Sequence, residues 1–358
     1  MSDWRGAVRQ AEALFAGVAL ALLCSVASAQ QPRFDGVTVR VATFGGGWQE
    51  VLDKYAGAEF RKSGGKVEFI PSFPRDALAK LIAARGRAAP FDVVEMDDST
   101  LAEFMAAAFV EKINLNLIVN KKDLDSADYD EFKVTSWITQ EGILYRPDKY
   151  KEAGLAAPER YSDLANPKLG GKVAMIDVSQ AGVAQFLVGA AYDAGGSEAN
   201  LAPAYDLLKK INAARYWKLG AEAVSALQTG DVWAATVHTG FALQVRAAGN
   251  QWNFVHPRNG DRKGLLKRGF IGVVRGSKVS DAAAYFINTY IGFANQEAVS
   301  TIRGVVSPNK AVRAAVKDNA SLKELYILDE AGVGNMRRVD FSKLDPNYKD
   351  QWTRATVR

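Results

Sequence analysis

Apolar and polar residues recur along this chain with two alternating periods. Val37, Val39 and Val41 alternate with polar neighbours, which predicts a strand, and Gly45-Gly46-Gly47 breaks it. Trp48, Val51, Leu52, Tyr55 and Phe60 then recur at helical spacing. Val67 to Ile70 reads as a second strand, Leu78, Leu81 and Ile82 as a second helix, and Phe91 to Met96 as a buried strand. Leu101, Phe104, Met105 and Ala108 give a third helical face. Such β-α-β-α-β-α alternation predicts a parallel sheet covered by helices.

A second α/β region follows. Strands are expected at Val173 to Asp177, Val232 to His238, Asn253 to His256 and Phe270 to Val274. One helix is marked by Leu201, Tyr205, Leu208 and Ile211, another by Ala282, Phe286, Tyr290 and Phe293. No repeat, low-complexity tract or flexible Gly/Ser linker separates the two regions, so strand-like crossings should join them and permit hinge bending without free tumbling.

The first 29 residues have another pattern. Arg5 and Arg9 precede an almost wholly apolar run from Ala13 to Leu23, and Ala27-Ser28-Ala29 offers a small-x-small cleavage site. The run is too short to span a bilayer, so a secretory signal cleaved after Ala29 is expected. Leu23 before Cys24 is too large for a lipidation signal. Cleavage would leave 329 of the 358 residues, no cysteine and an unchanged net charge of +5. The expected product is exported, soluble and free of disulfides.

Composition narrows the chemistry further. The 48% hydrophobic content suits an ordinary globular chain rather than a disordered one, and the length suggests two domains. The basic excess is dispersed in pairs such as Lys121-Lys122 and Arg337-Arg338, without the basic stripe of a nucleic-acid binder. Two histidines, His238 and His256, and no HExxH, CxxC, G-x-S-x-G or phosphate-loop motif argue against an enzyme. Asp97-Asp98 would point to opposite faces of a strand, a poor metal or acid–base pair. No metal or cofactor is expected. The glycines between the first strand and helix could aim backbone amides into a cleft, or simply allow a tight turn.

Several segments together resemble a family. Leu164-Ala165-Asn166-Pro167-Lys168-Leu169-Gly170-Gly171-Lys172-Val173-Ala174-Met175, Leu227-Gln228-Thr229-Gly230-Asp231-Val232-Trp233, Ala284-Tyr285-Phe286-Ile287-Asn288, Ser307-Pro308-Asn309-Lys310 and Phe91-Asp92-Val93-Val94 occur in the order and spacing of the spermidine/putrescine-binding branch of the extracellular solute-binding proteins of ABC importers. The resemblance runs from about Val37 to the C-terminus. It implies a two-lobed type II periplasmic-binding-protein fold, each lobe a mixed sheet flanked by helices. Residues 36–140 plus 272–325 would form one lobe, and 141–271 plus 326–358 the other.

The ligand would then sit between the lobes at the carboxyl ends of strands. The implied site comprises Gly45, Gly46, Trp48, Asp97, Asp98, Ser99, Asp177, Ser179, Gln180, His238, Thr239 and Arg268, although Trp48 also fits the apolar face of its helix. The resemblance implies delivery by a periplasmic monomer to an inner-membrane permease and its ATPase. Where the polyamine branch has an acidic stretch, this chain keeps only Asp177 of Asp177-Val178-Ser179-Gln180-Ala181; His238 replaces a Trp, and Leu265-Leu266-Lys267-Arg268-Gly269 stands where an Asp is expected. A desolvated polyamine needs carboxylates or aromatic faces. The expected solute is therefore amino-acid-like, a carboxylate or a phosphonate. A polyamine is the alternative, and an exported enzyme or sensor on the same fold a further one.

Overall fold

The computed structural model describes residues 32–357 except 86 and 250, so the expected signal segment and its cleavage site lie outside the described residues. Twelve strands are defined: β1 (Thr38–Thr43), β2 (Lys66–Pro71), β3 (Val93–Asp97), β4 (Val134–Tyr145), β5 (Val173–Ile176), β6 (Ala213–Trp217), β7 (Ala234–His238), β8 (Asn253–Val255), β9 (Arg258–Asn259), β10 (Arg262–Lys263), β11 (Leu265–Val273) and β12 (Arg337–Arg338). Eight of them form one hydrogen-bonded path, in the order β2-β1-β3-β11-β4-β7-β5-β6. Its two ends are parallel: β2, β1 and β3 at one, β7, β5 and β6 at the other. The middle, from β3 through β11 and β4 to β7, is antiparallel.

The helices expected after β1, β2 and β3 are present, at Gly47–Leu52 (continuing through a π turn and a further helical turn to Arg61), Pro74–Ala83 and Leu101–Ala106. The last buries only Phe104, while Met105 and Ala108 are exposed, so the expected apolar face is narrower than its sequence.

Apolar burial divides the molecule at the two long strands. Val39, Leu52, Phe60, Phe286 and Tyr290 pack on one side, joined by a smaller cluster around Leu78, Phe91 and Phe104. Leu144, Tyr161, Phe186, Trp217 and Trp252 pack on the other. Between them, all twelve residues of β4 are buried, including Thr135, Ser136, Thr139, Gln140 and Glu141. Several polar groups of the strand find partners: the Gln140 amide donates to Ile327 O (2.6 Å) and accepts from its N–H (2.9 Å), Thr139 Oγ1 donates to Glu141 (2.9 Å), and Gln296 donates to the backbone oxygen of Ser136 (3.0 Å). Bonds of this kind let polar residues occupy a central strand. Among the described residues, no helix is long and apolar enough to cross a membrane.

Candidate functional site

A cleft of about 1090 Å³ opens where the strand ends of both halves meet. Its floor follows from side-chain alternation. On β4, Trp137, Thr139 and Glu141 share a face, and antiparallel register sets Lys267 opposite Thr139 and Gly269 opposite Trp137. Gly269 also pairs with Asp97 on β3. A Cβ on Gly269 would stand 2.0 Å from the Trp137 ring, so the missing side chain lets that indole lie across β11. Phe44 and Trp48 pack edge-on or tilted against Trp137, with centroids 6.0 and 6.4 Å away.

The charges on this floor are arranged unequally. Lys267 Nζ lies 3.4 Å from Glu141 Oε1 and 5.7 Å from the Trp137 ring centroid, and Thr139 Oγ1 donates to the same carboxylate oxygen at 2.9 Å. Asp97 has no cation within ion-pair distance among the described residues; its Oδ1 accepts from the N–H and hydroxyl of Ser99 (3.0 and 2.7 Å) and of Thr100 (3.1 and 3.0 Å). Arg303 ends helix Phe293–Arg303, and the left-handed Gly304 turns the chain sharply after it. Arg303 is half-buried in the cleft wall, with its guanidinium against Gly47, and no carboxylate forms an ion pair with it among the described residues. Burial lowers its pKa, opposed by the charge of Glu50.

His238 stands at the end of β7. Its Nδ1 accepts the Gly240 N–H at 3.0 Å, which leaves the neutral ring's proton on Nε2. Its ring packs on Phe241 with centroids 4.0 Å apart. Burial pulls its pKa down to about 4; Lys267 and Arg303 act in the same direction and Glu141 opposes them.

Of the residues expected from sequence, Gly45, Trp48, Asp97, Ser99, Ser179, Gln180 and His238 line the cleft. Trp48 is both cleft wall and core, at 8% exposure. Gly46, Asp98, Asp177, Thr239 and Arg268 do not line it. Asp98 lies in the turn just after β3 and points away from the cleft, where its carboxylate accepts the Arg268 N–H at 2.7 Å and the Arg268 guanidinium at 3.2 Å. Arg268 is thus committed to Asp98 while its neighbour Lys267 faces the cleft. Asp177 shapes a turn by accepting the Ser179 N–H at 2.9 Å. Thr239 is fully buried in the first turn of helix Thr239–Ala247, and Gly46 supplies the φ of +61° that starts helix Gly47–Leu52. Trp137, Glu141 and Arg303 also line the cleft, on a strand and a helix that the sequence pattern does not predict. Helix Tyr348–Thr356 also contributes Lys349, Asp350 and Thr353 to the rim.

Comparison with known proteins agrees with this architecture. Residues 50–324 match the family of bacterial extracellular solute-binding proteins, and the chain belongs to that family. None of the curated proteins matches it by sequence. Among solved structures, a protein of Bordetella parapertussis described as an extracellular solute-binding protein is 19% identical, with a TM-score of 0.72 over 90% of this chain and 99% of that one. The periplasmic binding protein AgtB of A. tumefaciens, in complex with agropinic acid, is 16% identical, with a TM-score of 0.70 over 91% and 100%. A Listeria monocytogenes protein described as a spermidine/putrescine ABC transporter is 18% identical, with a TM-score of 0.70 over 89% and 97%. The fold is therefore that of the two-lobed periplasmic binding proteins, and the chain is a solute-binding protein.

Proposed function

We propose that the protein is the periplasmic receptor of an ABC importer, and that it captures a small amino-acid-like, carboxylate or phosphonate solute in the cleft for delivery to an inner-membrane permease and its ATPase. The observation that carries this reading is Arg303, a half-buried guanidinium facing the cleft with no carboxylate within ion-pair distance among the described residues. A desolvated cation of this kind is stabilised by an anion that enters with the solute. Asp97, which has hydrogen bonds but no cation partner, could receive the amine of an amino-acid-like solute. The Nε2–H of His238 is a further donor.

The apolar clusters suggest where the lobes divide. The first lobe would run from the start of β1 to about Ile138 and from Phe270 to Val305; the rest, including residues 306–326, would form the second, because Val306, Val312, Leu322 and Tyr326 pack with Leu144 and Trp217. β4 and β11 would act as hinge strands, and closure of the lobes on the solute would create the form that the permease binds. Export would require the signal segment expected at residues 1–29.

A thermal-shift screen of organic acids, phosphonates, amino acids and polyamines on refolded protein tests the reading. Saturation at one hundred times Kd stabilises by about 2.7 kcal/mol. The expected result is a raised midpoint with an anionic or zwitterionic solute, and a smaller shift with the same solute in Arg303→Met. A shift with spermidine or putrescine alone would refute it.

A further inference from the structure

A second feature of the cleft floor concerns selection among solutes. An alkylammonium leaving water needs a carboxylate and is attracted to an aromatic face. At one place on the floor, Glu141 beside Trp137, the two come together, and there both are occupied by the chain itself. Lys267 Nζ lies 3.4 Å from Glu141 Oε1 and 5.7 Å from the Trp137 centroid, with side-chain exposures of only 12% for Lys267 and 5% for Glu141. Thr139 fixes the carboxylate from beside it at 2.9 Å, and a Cβ on Gly182 would stand 3.0 Å from its other oxygen, so the bare glycine leaves that oxygen its room. A second ammonium entering here would have to displace Nζ or share one carboxylate with it, and like charges at that distance repel.

We infer that Lys267 is a tethered ammonium that fills the cation subsite formed by Glu141 and Trp137 and so turns the receptor against polyamines, whose second ammonium would need that subsite, while Asp97 stays open to a single amine. Lys267 is a specificity-determining residue, and its negative-selection role adds to the attraction supplied by Arg303. The inference rests on the reading that this cleft receives the solute.

Lys267→Ala removes the atoms beyond Cβ, which have the size and charge of n-propylammonium. The test is therefore chemical rescue of the full mature chain. Propylammonium chloride is expected to raise the unfolding midpoint of Lys267→Ala and to bind it about 10- to 100-fold more tightly than it binds the unmodified protein. Propan-1-ol, which has the same shape without the charge, should not rescue. Lys267→Ala combined with Glu141→Gln should lose the rescue. If Lys267→Ala does not fold alone, refolding provides the readout: soluble recovery with propylammonium but not propanol supports the inference, and no recovery overturns it. Equal binding by both proteins, rescue by propanol, or rescue that survives Glu141→Gln would also overturn it. The anion screen of the unmodified protein is independent. A rescued variant whose parent binds no anion would refute only the anionic reading, while an unrescued variant whose parent binds anions would refute only the role of Lys267.

Discussion

Lys267 and Arg268 are adjacent on β11, carry the same charge and each meet a carboxylate, yet they serve different ends. Lys267 lies on the cleft face, over Trp137 and against Glu141. Arg268 lies on the other face, where it ties β11 to the end of β3 through Asp98 at 3.2 Å and stacks near Phe270. The backbone N–H of Arg268 also donates to Asp98, so half of that attachment is independent of the guanidinium. The lesson is that side-chain alternation, rather than charge, decides which cation of a strand faces a ligand.

The comparison can be broken most forcefully at Lys267. Lys267→Met should cost about 3–5 kcal/mol of unfolding free energy by leaving Glu141 buried without its partner, and Lys267→Met with Glu141→Gln should recover most of the loss in denaturant titrations.

The next effect is a pH dependence. His238 titrates near 6.5 when unfolded and about 4 when folded, and burial also pulls His256 down to about 4. A folded-state pKa below the unfolded one means that the unfolded chain binds more protons between these values. Stability is therefore full above about pH 6.5 and falls as the pH drops toward 4, by on the order of 1–3 kcal/mol for His238. Glu95, a buried carboxyl whose pKa burial raises, has the opposite sign, so the His238 share is read as the difference from His238→Gln. Because Lys267 helps to hold the His238 pKa down, Lys267→Met should raise it, and Arg268→Met should leave it unchanged.

Arg268→Met should have the smallest effect, about 1–2 kcal/mol, because the main-chain bond to Asp98 survives. Its affinity for the solute should remain that of the unmodified protein.

Much of the fold was legible in the sequence because strands such as β1 show clear alternation and β3 and β7 are compact apolar runs. β4 was not legible. It is buried on both faces and pairs Thr139, Gln140 and Glu141 inside the protein, so it has neither alternation nor an apolar run. The site was legible at the strand ends Gly45, Asp97, Ser179 and His238, where chain topology alone brings residues to a cleft. It was not legible at Lys267 and Arg268, since the ladder between β11 and β4 shifts register between Gly269 and Phe270. Such an irregularity breaks simple alternation, and the face of residues 267 and 268 cannot be counted back from the apolar run that begins at Phe270. Arg303 was hidden because only the packed end of its helix, followed by Gly304, brings it to the cleft.

The central claim is that Arg303 receives the anionic part of a solute in this cleft. Isothermal titration of the unmodified protein and of Arg303→Met, using the carboxylate, amino acid or phosphonate that most stabilises the unmodified protein, tests it most directly. The account predicts an affinity at least about tenfold weaker for Arg303→Met, equivalent to about 1.4 kcal/mol, with an unchanged unfolding transition in the absence of solute. Equal affinities in the two proteins would contradict it.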